Sequence, residues 1–491
     1  MTADLLAGLP LFALLAGAPA VYLEARLSRG RGGEWTGLGA FAVFLLSFGL
    51  AVGLLASGSD GPVPFLGAMT LAGTPLAYFL ATIGTGLGMA ASLFSIPTLR
   101  GDRSVERYFP LLLLMAAGAV GLGFAADLFG LFVFFELMAV ASYGLVAYHV
   151  DRAEAIEAGM KYVVLSGAGS LVALLGISFA YLGAGTTDLA AIRGASAGMP
   201  VLLAGPAAAL FVAGFGLKAA IVPMHTWLPD AHSAAPSGVS AMLSGVVIQA
   251  GLLTLVKSVG LFAGPTAAVS FGLLLALLAV LTMTVGNLLA LHQSDVKRML
   301  AYSSVAQVGY ILLGFGLAFE FGVAGGAEGG LLHILTHGLA KGGAFLAAGA
   351  FVWIAGTRDL GQLAGIGRAA PAVGLSFAIF ALGLAGVPPM GGFLSKLLIV
   401  KAGLDAGGLG PVLLVLALAA NSVLSLGYYV PALLRIVFSE ARPARVRVPW
   451  TMQGPIVGLA LATVLIGLFP DPAIQAAQAA AQGLARAFGG A

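Results

Sequence analysis

Gly216-Leu217-Lys218-Ala219-Ala220-Ile221-Val222-Pro223-Met224-His225-Thr226-Trp227-Leu228-Pro229-Asp230-Ala231-His232 closes an apolar run that opens near residue 200. About 20 apolar residues suffice to cross a bilayer core. This run has that length, then meets a lysine, two prolines, two histidines and an aspartate. Two prolines at a helix end free backbone carbonyls from their usual donors. Inside a membrane such a break is tolerated only where it lines a cavity or is buried in protein. The plain alternative is a capped loop. Read as a break, the stretch places residues 200–222 across a membrane and leaves polar groups at its end.

The rest of the chain supports a membrane setting. Of its 491 residues 60% are hydrophobic and 9% charged, against roughly 25% charged in a soluble domain. Mean hydropathy is +1.04. A nucleic-acid binder, a secreted disulfide scaffold and a disordered chain are excluded. With no cysteine there is no thiolate zinc site or iron–sulfur ligand set. Fourteen segments are long and apolar enough to span: 5–23, 37–56, 74–98, 109–125, 128–149, 160–183, 200–222, 236–258, 266–290, 299–318, 329–355, 372–404, 410–434 and 451–469. The twelfth is interrupted by Val387-Pro388-Pro389-Met390-Gly391-Gly392. None alternates in the way a barrel strand would. Ala18-Pro19-Ala20 resembles a cleavage site, but Asp4 has the wrong sign for a signal peptide, so the first segment reads as a retained helix.

Loops after odd-numbered segments hold 15 lysines and arginines, among them Arg26, Arg29, Arg31, Arg103, Arg152, Arg358 and Arg442, against Arg193 and Arg486 on the other side. Odd loops are therefore expected to be cytoplasmic and both termini to face outward. Lys161, Lys218, Lys257, Lys341, Lys396 and Lys401 fall inside apolar segments, and no arginine does. Lysine, unlike arginine, can release its proton when desolvated. Snorkelling to the interface is the simpler reading for Lys161, Lys257 and Lys401; it fits Lys218 and Lys341 poorly.

Glu136 is the only acid of the fifth segment. It lies roughly 12 Å deep at 1.5 Å per residue. A charged carboxylate there needs a partner, and Lys218 is the natural one. In the eleventh segment His333, His337 and Lys341 recur at four-residue spacing, which lines them on one helix face. Such a stripe resembles a proton wire. Lys396 follows the break in the twelfth segment, and Gly383-Leu384-Ala385-Gly386-Val387-Pro388-Pro389-Met390 echoes the opening stretch, the pattern of a repeat-built transporter. His225 and His232 lack a carboxylate pattern that would make them a metal site. Asp295, Lys297 and Arg298 read as a helix cap and a topology anchor.

Ser294-Asp295-Val296-Lys297-Arg298-Met299-Leu300-Ala301-Tyr302-Ser303-Ser304 closely resembles the D-x-K-R-x-L-A-Y-S-S signature of the antiporter-like subunits. These are proton-pumping membrane subunits of complex I (NADH:quinone oxidoreductase), of membrane-bound hydrogenases and of Mrp-type Na+/H+ antiporters. Phe135-Glu136, Lys218 before His225-Thr226-Trp227-Leu228-Pro229-Asp230-Ala231-His232, the His333/His337/Lys341 stripe and Phe393-Leu394-Ser395-Lys396 agree with it, over about residues 75–435. The resemblance implies an all-α membrane fold of about 14 helices, with two inverted five-helix repeats and broken helices 7 and 12. It implies an N-terminal unit at 1–108, repeats at 109–258 and 266–434, and a final helix and tail at 435–491. It implies a midplane proton relay of Glu136, Lys218, Gln249, His333, His337, Lys341 and Lys396. Glu136 and Lys218 would form its modulating ion pair, and His225, Asp230 and His232 are candidates for the channel mouth. Gln249 stands where many relatives have lysine; it cannot titrate, so it would hold water in the relay or interrupt it.

The functions to expect are therefore a proton-translocating subunit of a redox-driven complex of NADH:quinone oxidoreductase or hydrogenase type, a subunit of an Mrp-type Na+/H+ antiporter, or a non-conducting scaffold. The chain has no redox site of its own, so its part in an enzyme would be as a translocase subunit. No cofactor or metal is expected in it. Its partners would be other membrane subunits, protons and possible sodium ions, and the lipid bilayer, but not nucleic acid. Its place would be the plasma membrane of the cell.

Overall fold

The computed structural model describes residues 3–28, 32–65, 67, 69–102, 104–262, 270–439 and 445–487. Arg29, Arg31, Arg103 and Arg442 of the charge count lie outside them. Among the described residues 13 helices are long and apolar enough to cross a membrane. In chain order they begin with Leu9–Leu27, Gly33–Ala56, Pro75–Thr98, Val105–Phe124 and Leu128–Val146. Ala153–Ala184, Val201–Lys218, Ser237–Gly260, Phe271–Leu291, Val296–Phe321 and Ala324–Ala355 follow. A broken helix, Pro371–Ala385 and Gly391–Asp405, stands twelfth in the series. Leu409–Phe438 and Trp450–Leu468 complete it as thirteenth and fourteenth. The chain is a multi-pass membrane protein with the expected helical fold.

The helices begin where side chains can satisfy the orphan amides of a first turn. Asp127 accepts from Gly130 N at 2.7 Å, and Asp295 from Lys297 N at 2.7 Å and Arg298 N at 3.1 Å. The third, fourth, eighth, tenth and eleventh helices form the buried core; the first, second and fourteenth lie at its edge. The ninth packs along the tenth, the tenth along the eleventh, and the sixth along the seventh.

Both breaks fall where the prolines predicted them. The seventh helix stops at Lys218 and resumes as the short helix Trp227–Ala234. The peptide bonds Val222–Pro223 and Pro388–Pro389 are cis. The eighth helix widens into a π-helical turn at Leu243–Val247. There Gly245 and Gly338 let the eighth and eleventh backbones touch: a Cβ on Gly245 would lie 3.1 Å from the Gly338 carbonyl oxygen.

Two elements escape a hydropathy reading. Gly61–Val63 and Leu71–Gly73 form an antiparallel ladder with Val63 opposite Leu71. After the last span, Asp471–Ala487 is an amphipathic helix burying Ala473, Ala477, Ala480 and Leu484. It packs against the third and eleventh helices, and Gln478 donates to Glu328 at 3.2 Å.

Candidate functional site

The lysines divide by what holds them. Lys161 and Lys401 are half or more exposed and paired, Lys161 with Glu157 at 2.7 Å and Lys401 with Asp405 at 2.5 Å; both fit the snorkelling reading. Lys257 does not. It is buried and donates to the carbonyls of Leu122 (3.1 Å), Gly123 (3.3 Å) and Ala125 (2.6 Å). It thus caps the C-terminus of the fourth helix, where the negative end of the peptide dipoles favours a cation. Lys297 also departs from expectation: the topology anchor is buried, with Nζ on the Ala235 carbonyl at 2.6 Å. Its neighbour Arg298 pairs with Asp230 at 2.7 Å. The two residues therefore brace the short helix after the first break.

Lys218 is fully buried and held differently. Its Nζ donates to Ser166 Oγ at 3.3 Å and lies over the rings of Tyr162 (4.4 Å) and Tyr143 (4.9 Å). Trp227 stacks on Tyr162 at 4.1 Å and its indole donates to the Leu217 carbonyl at 2.8 Å. The ring faces give the ammonium cation–π contact in place of a counter-ion. The expected Glu136–Lys218 pair is not closed: among the described residues no carboxylate lies within 4.0 Å of Lys218, and Glu136 Oε1 is buried without a protein hydrogen bond. Ser166 and the ring box take the ammonium instead, while Glu136 sits half-buried on the fifth helix.

Past Lys218 the eighth helix packs close, Gly251 abutting the Lys218 backbone; a Cβ there would lie 3.2 Å from Lys218 Cβ. Two residues before Gly251, Gln249 bonds His337 Nδ1 at 2.6 Å through its Nε2. An amide that donates to Nδ1 leaves the ring proton on Nε2. The rings of His337 and His333 lie 6.3 Å apart at 14°. His333 bonds Ser395 Oγ through Nδ1 and Gln307 Oε1 through Nε2, each at 2.8 Å. Gln307 donates in turn to the Leu384 carbonyl at 3.0 Å. Lys396 donates to that same carbonyl at 3.0 Å and to Ala385 at 3.3 Å, and stands over the Tyr310 ring at 4.4 Å.

Lys341 shares the helix face of the two histidines but bonds elsewhere. Its Nζ donates to Ser303 Oγ, to the Leu300 carbonyl (3.3 Å) and to Tyr429 (3.2 Å). Behind it, Asn287 joins Tyr310, Tyr428 and Asn421 within 2.9–3.1 Å. Sequence reading missed Ser166, Gln307, Ser395 and Tyr429. Ser303, inside the quoted signature, and Gln307, three residues past its end, stand four residues apart, a spacing that would have put both on one face.

Of the expected channel mouth, Asp230 bridges Lys161 (3.2 Å) and Arg298 (2.7 Å) and lines a cavity of about 200 Å³ with Glu154, Glu157 and Arg358. His225 and His232 do not line it. His232 is fully buried, stacked on Phe345 at 4.4 Å, with neither ring nitrogen bonded to protein. Among the described residues no group of three or more histidine, aspartate or glutamate side chains is placed to hold a metal ion.

Comparison with known proteins bears on the family and the fold. A family model described as NADH:quinone oxidoreductase/Mrp antiporter, TM, matches residues 125–425. The chain is 32% identical over 426 residues to the F(420)H(2) dehydrogenase subunit N of Methanosarcina mazei, covering 84% of each. A chain of the membrane-bound sulfane sulfur reductase, an archaeal respiratory membrane complex, superposes with a TM-score of 0.88 at 28% identity, over 98% of this chain and 99% of that one. A chain of the Mrp complex of Dietzia sp. superposes at 0.85 and 25% identity, over 99% and 98%.

Proposed function

The chain belongs to the NADH:quinone oxidoreductase/Mrp antiporter membrane family, and from that premise we propose that it is a proton-translocating subunit of a multisubunit, redox-driven membrane complex. The observation that carries this reading is the line of polar side chains made by Gln249 bonded to His337, the His337 and His333 rings 6.3 Å apart, and His333 bonded to Ser395 and Gln307 beside the break of the twelfth helix. Protons would enter at the arginine-rich, cytoplasmic face of the plasma membrane and reach Lys218. They would pass by Gln249-held water to His337 and His333, with Lys341 as a side store, and leave by Lys396 toward the outer face, where both termini would lie. Gln249 does not titrate, but its bond to His337 fixes the tautomer that presents Nε2–H. Glu136 would act on Lys218 across the Tyr143 ring, by approach rather than standing contact. The domain boundaries proposed are 109–258 and 266–434 for the two repeats.

The redox assignment is supported by the likeness to the dehydrogenase and reductase subunits; the Mrp likeness supports the antiporter as second reading. Electron transfer would belong to partner subunits. The test is His337→Leu and Glu136→Gln in the intact complex, with pumping assayed in vesicles and assembly checked separately. Lost pumping with intact assembly and electron transfer is expected. Undiminished pumping would sink the relay.

A further inference from the structure

A cavity of about 440 Å³ opens on the arginine-rich face, away from the midplane line. It lies between the ends of the third and eleventh helices, the start of the sixth and residues 233–237. His149, Arg152, Lys297 and Arg358 line it, and Glu154 is the one carboxylate in its wall. Glu154 and Asp295 are engaged by Arg358, at 3.3 and 3.1 Å. Nothing comparable serves Lys297. Lys297 is 3% exposed, its acceptor is the neutral Ala235 carbonyl, and among the described residues no carboxylate lies within 4.0 Å of its Nζ. Arg152 is exposed and makes no ion pair among the described residues. Burial, then the neighbouring Arg152, hold His149 below the ordinary histidine range, with Lys297 adding to the effect and Asp102 and Asp151 opposing it. An uncompensated buried ammonium is costly unless an anion joins it. Part of the remaining wall is apolar, Leu99, Val352 and Trp353, beside Thr98, Ser237 and Thr357; Trp353 is 44% exposed at the helix end where an aromatic belt meets the interface.

We propose that this cavity binds a phosphate group, that of an anionic phospholipid, with Arg152 and Lys297 on the phosphate oxygens and Leu99, Val352 and Trp353 against the glycerol and first methylenes. Cations at a helix end supply the charge recognition, and the apolar wall selects a lipid over a soluble phosphate. The site does not depend on the transport reading.

The test uses the full chain in its complex, delipidated in neutral detergent. Three probes are added: dioctanoyl phosphatidylglycerol, dioctanoyl phosphatidylcholine and inorganic phosphate. Melting temperature and native mass spectrometry are the readouts. Phosphatidylglycerol should raise the melting temperature saturably and stay bound. Because Lys297 also holds the Ala235 carbonyl, the exposed Arg152→Gln is the decisive variant, retaining roughly fivefold less lipid. Equal shifts from phosphatidylcholine, or an unchanged Arg152→Gln, overturn the proposal. An equal shift from inorganic phosphate keeps the phosphate site and overturns the lipid as its occupant.

Discussion

Where the seventh helix stops, Ala220 holds φ at 56°, and the Leu217 carbonyl accepts from the Trp227 indole beside the Ala220 N–H. Where the twelfth stops, Gly386 holds φ at 86°, and Lys396 itself donates to Leu384 and Ala385. Each break leaves a lysine at the negative end of a half-helix. At the first, an uncharged indole takes the carbonyl and the lysine is left to a ring box and one hydroxyl. At the second, the lysine is both the titratable group and the cap. Backbone repair and the proposed proton chemistry are thus separated at one break and merged at the other.

That difference can be broken most forcefully at the lysines. Lys218→Met should cut pumping by roughly a hundredfold while the melting temperature of the complex holds or rises, since an ammonium is exchanged for an isosteric apolar chain. Lys396→Met should cut pumping as far and also destabilise, by about 1–3 kcal/mol for the Ala385 carbonyl left without its side-chain donor, Leu384 keeping Gln307. Thermal melts beside vesicle pumping separate the two; equal melts would erase the distinction.

The turn residues sharpen it next, through opposite signs. Gly386→Ala forces a Cβ into the left-handed region and to 3.2 Å from Lys396 Cδ, so it should cost about 2 kcal/mol or more. Ala220→Gly removes a left-handed strain of about 1–2 kcal/mol but adds chain entropy of about 0.5–1 kcal/mol. A gain of about 0–1.5 kcal/mol is therefore expected, read by denaturant or thermal unfolding.

Trp227→Phe keeps an aromatic face for Tyr162 and Lys218 but removes one of the two donors to the Leu217 carbonyl, leaving the Ala220 N–H at 3.0 Å. A loss of about 1 kcal/mol is expected, with pumping reduced less than by Lys218→Met. Ser166→Ala removes only the 3.3 Å bond to Lys218 Nζ. It should change pumping the least of the set, by roughly twofold, measured in the same vesicles.

The spans were legible because a bilayer demands about 20 apolar residues each, and the breaks because two pairs of prolines cannot continue a helix. The His333/His337 face followed from four-residue spacing alone. Hydropathy registers transfer into an apolar phase and not which neighbour waits there. So it placed Lys257 and Lys297 at the interface, whereas both are buried on carbonyls of other helices. The same blindness hid Ser395 and Gln307, polar residues whose part in the His333 bonds depends on helix rotation. The Glu136–Lys218 pair was inferred from need and matching depth; the ring box that meets that need was not visible in spacing. The tail helix was missed because its apolar face is alanine, too small to raise the hydropathy of the run.

The contact of Gly245 with Gly338 sets a mechanical limit on the centre of the molecule. Where side chains separate two helices, their spacing breathes with every rotamer change. Here main chain meets main chain within one turn of Gln249 and His337, and neither surface has a side chain to yield. The two helices can pivot at that point but cannot close further. The Gln249–His337 bond is therefore gauged by the backbone, and a motion passing through it must take the form of rotation about a fixed bearing.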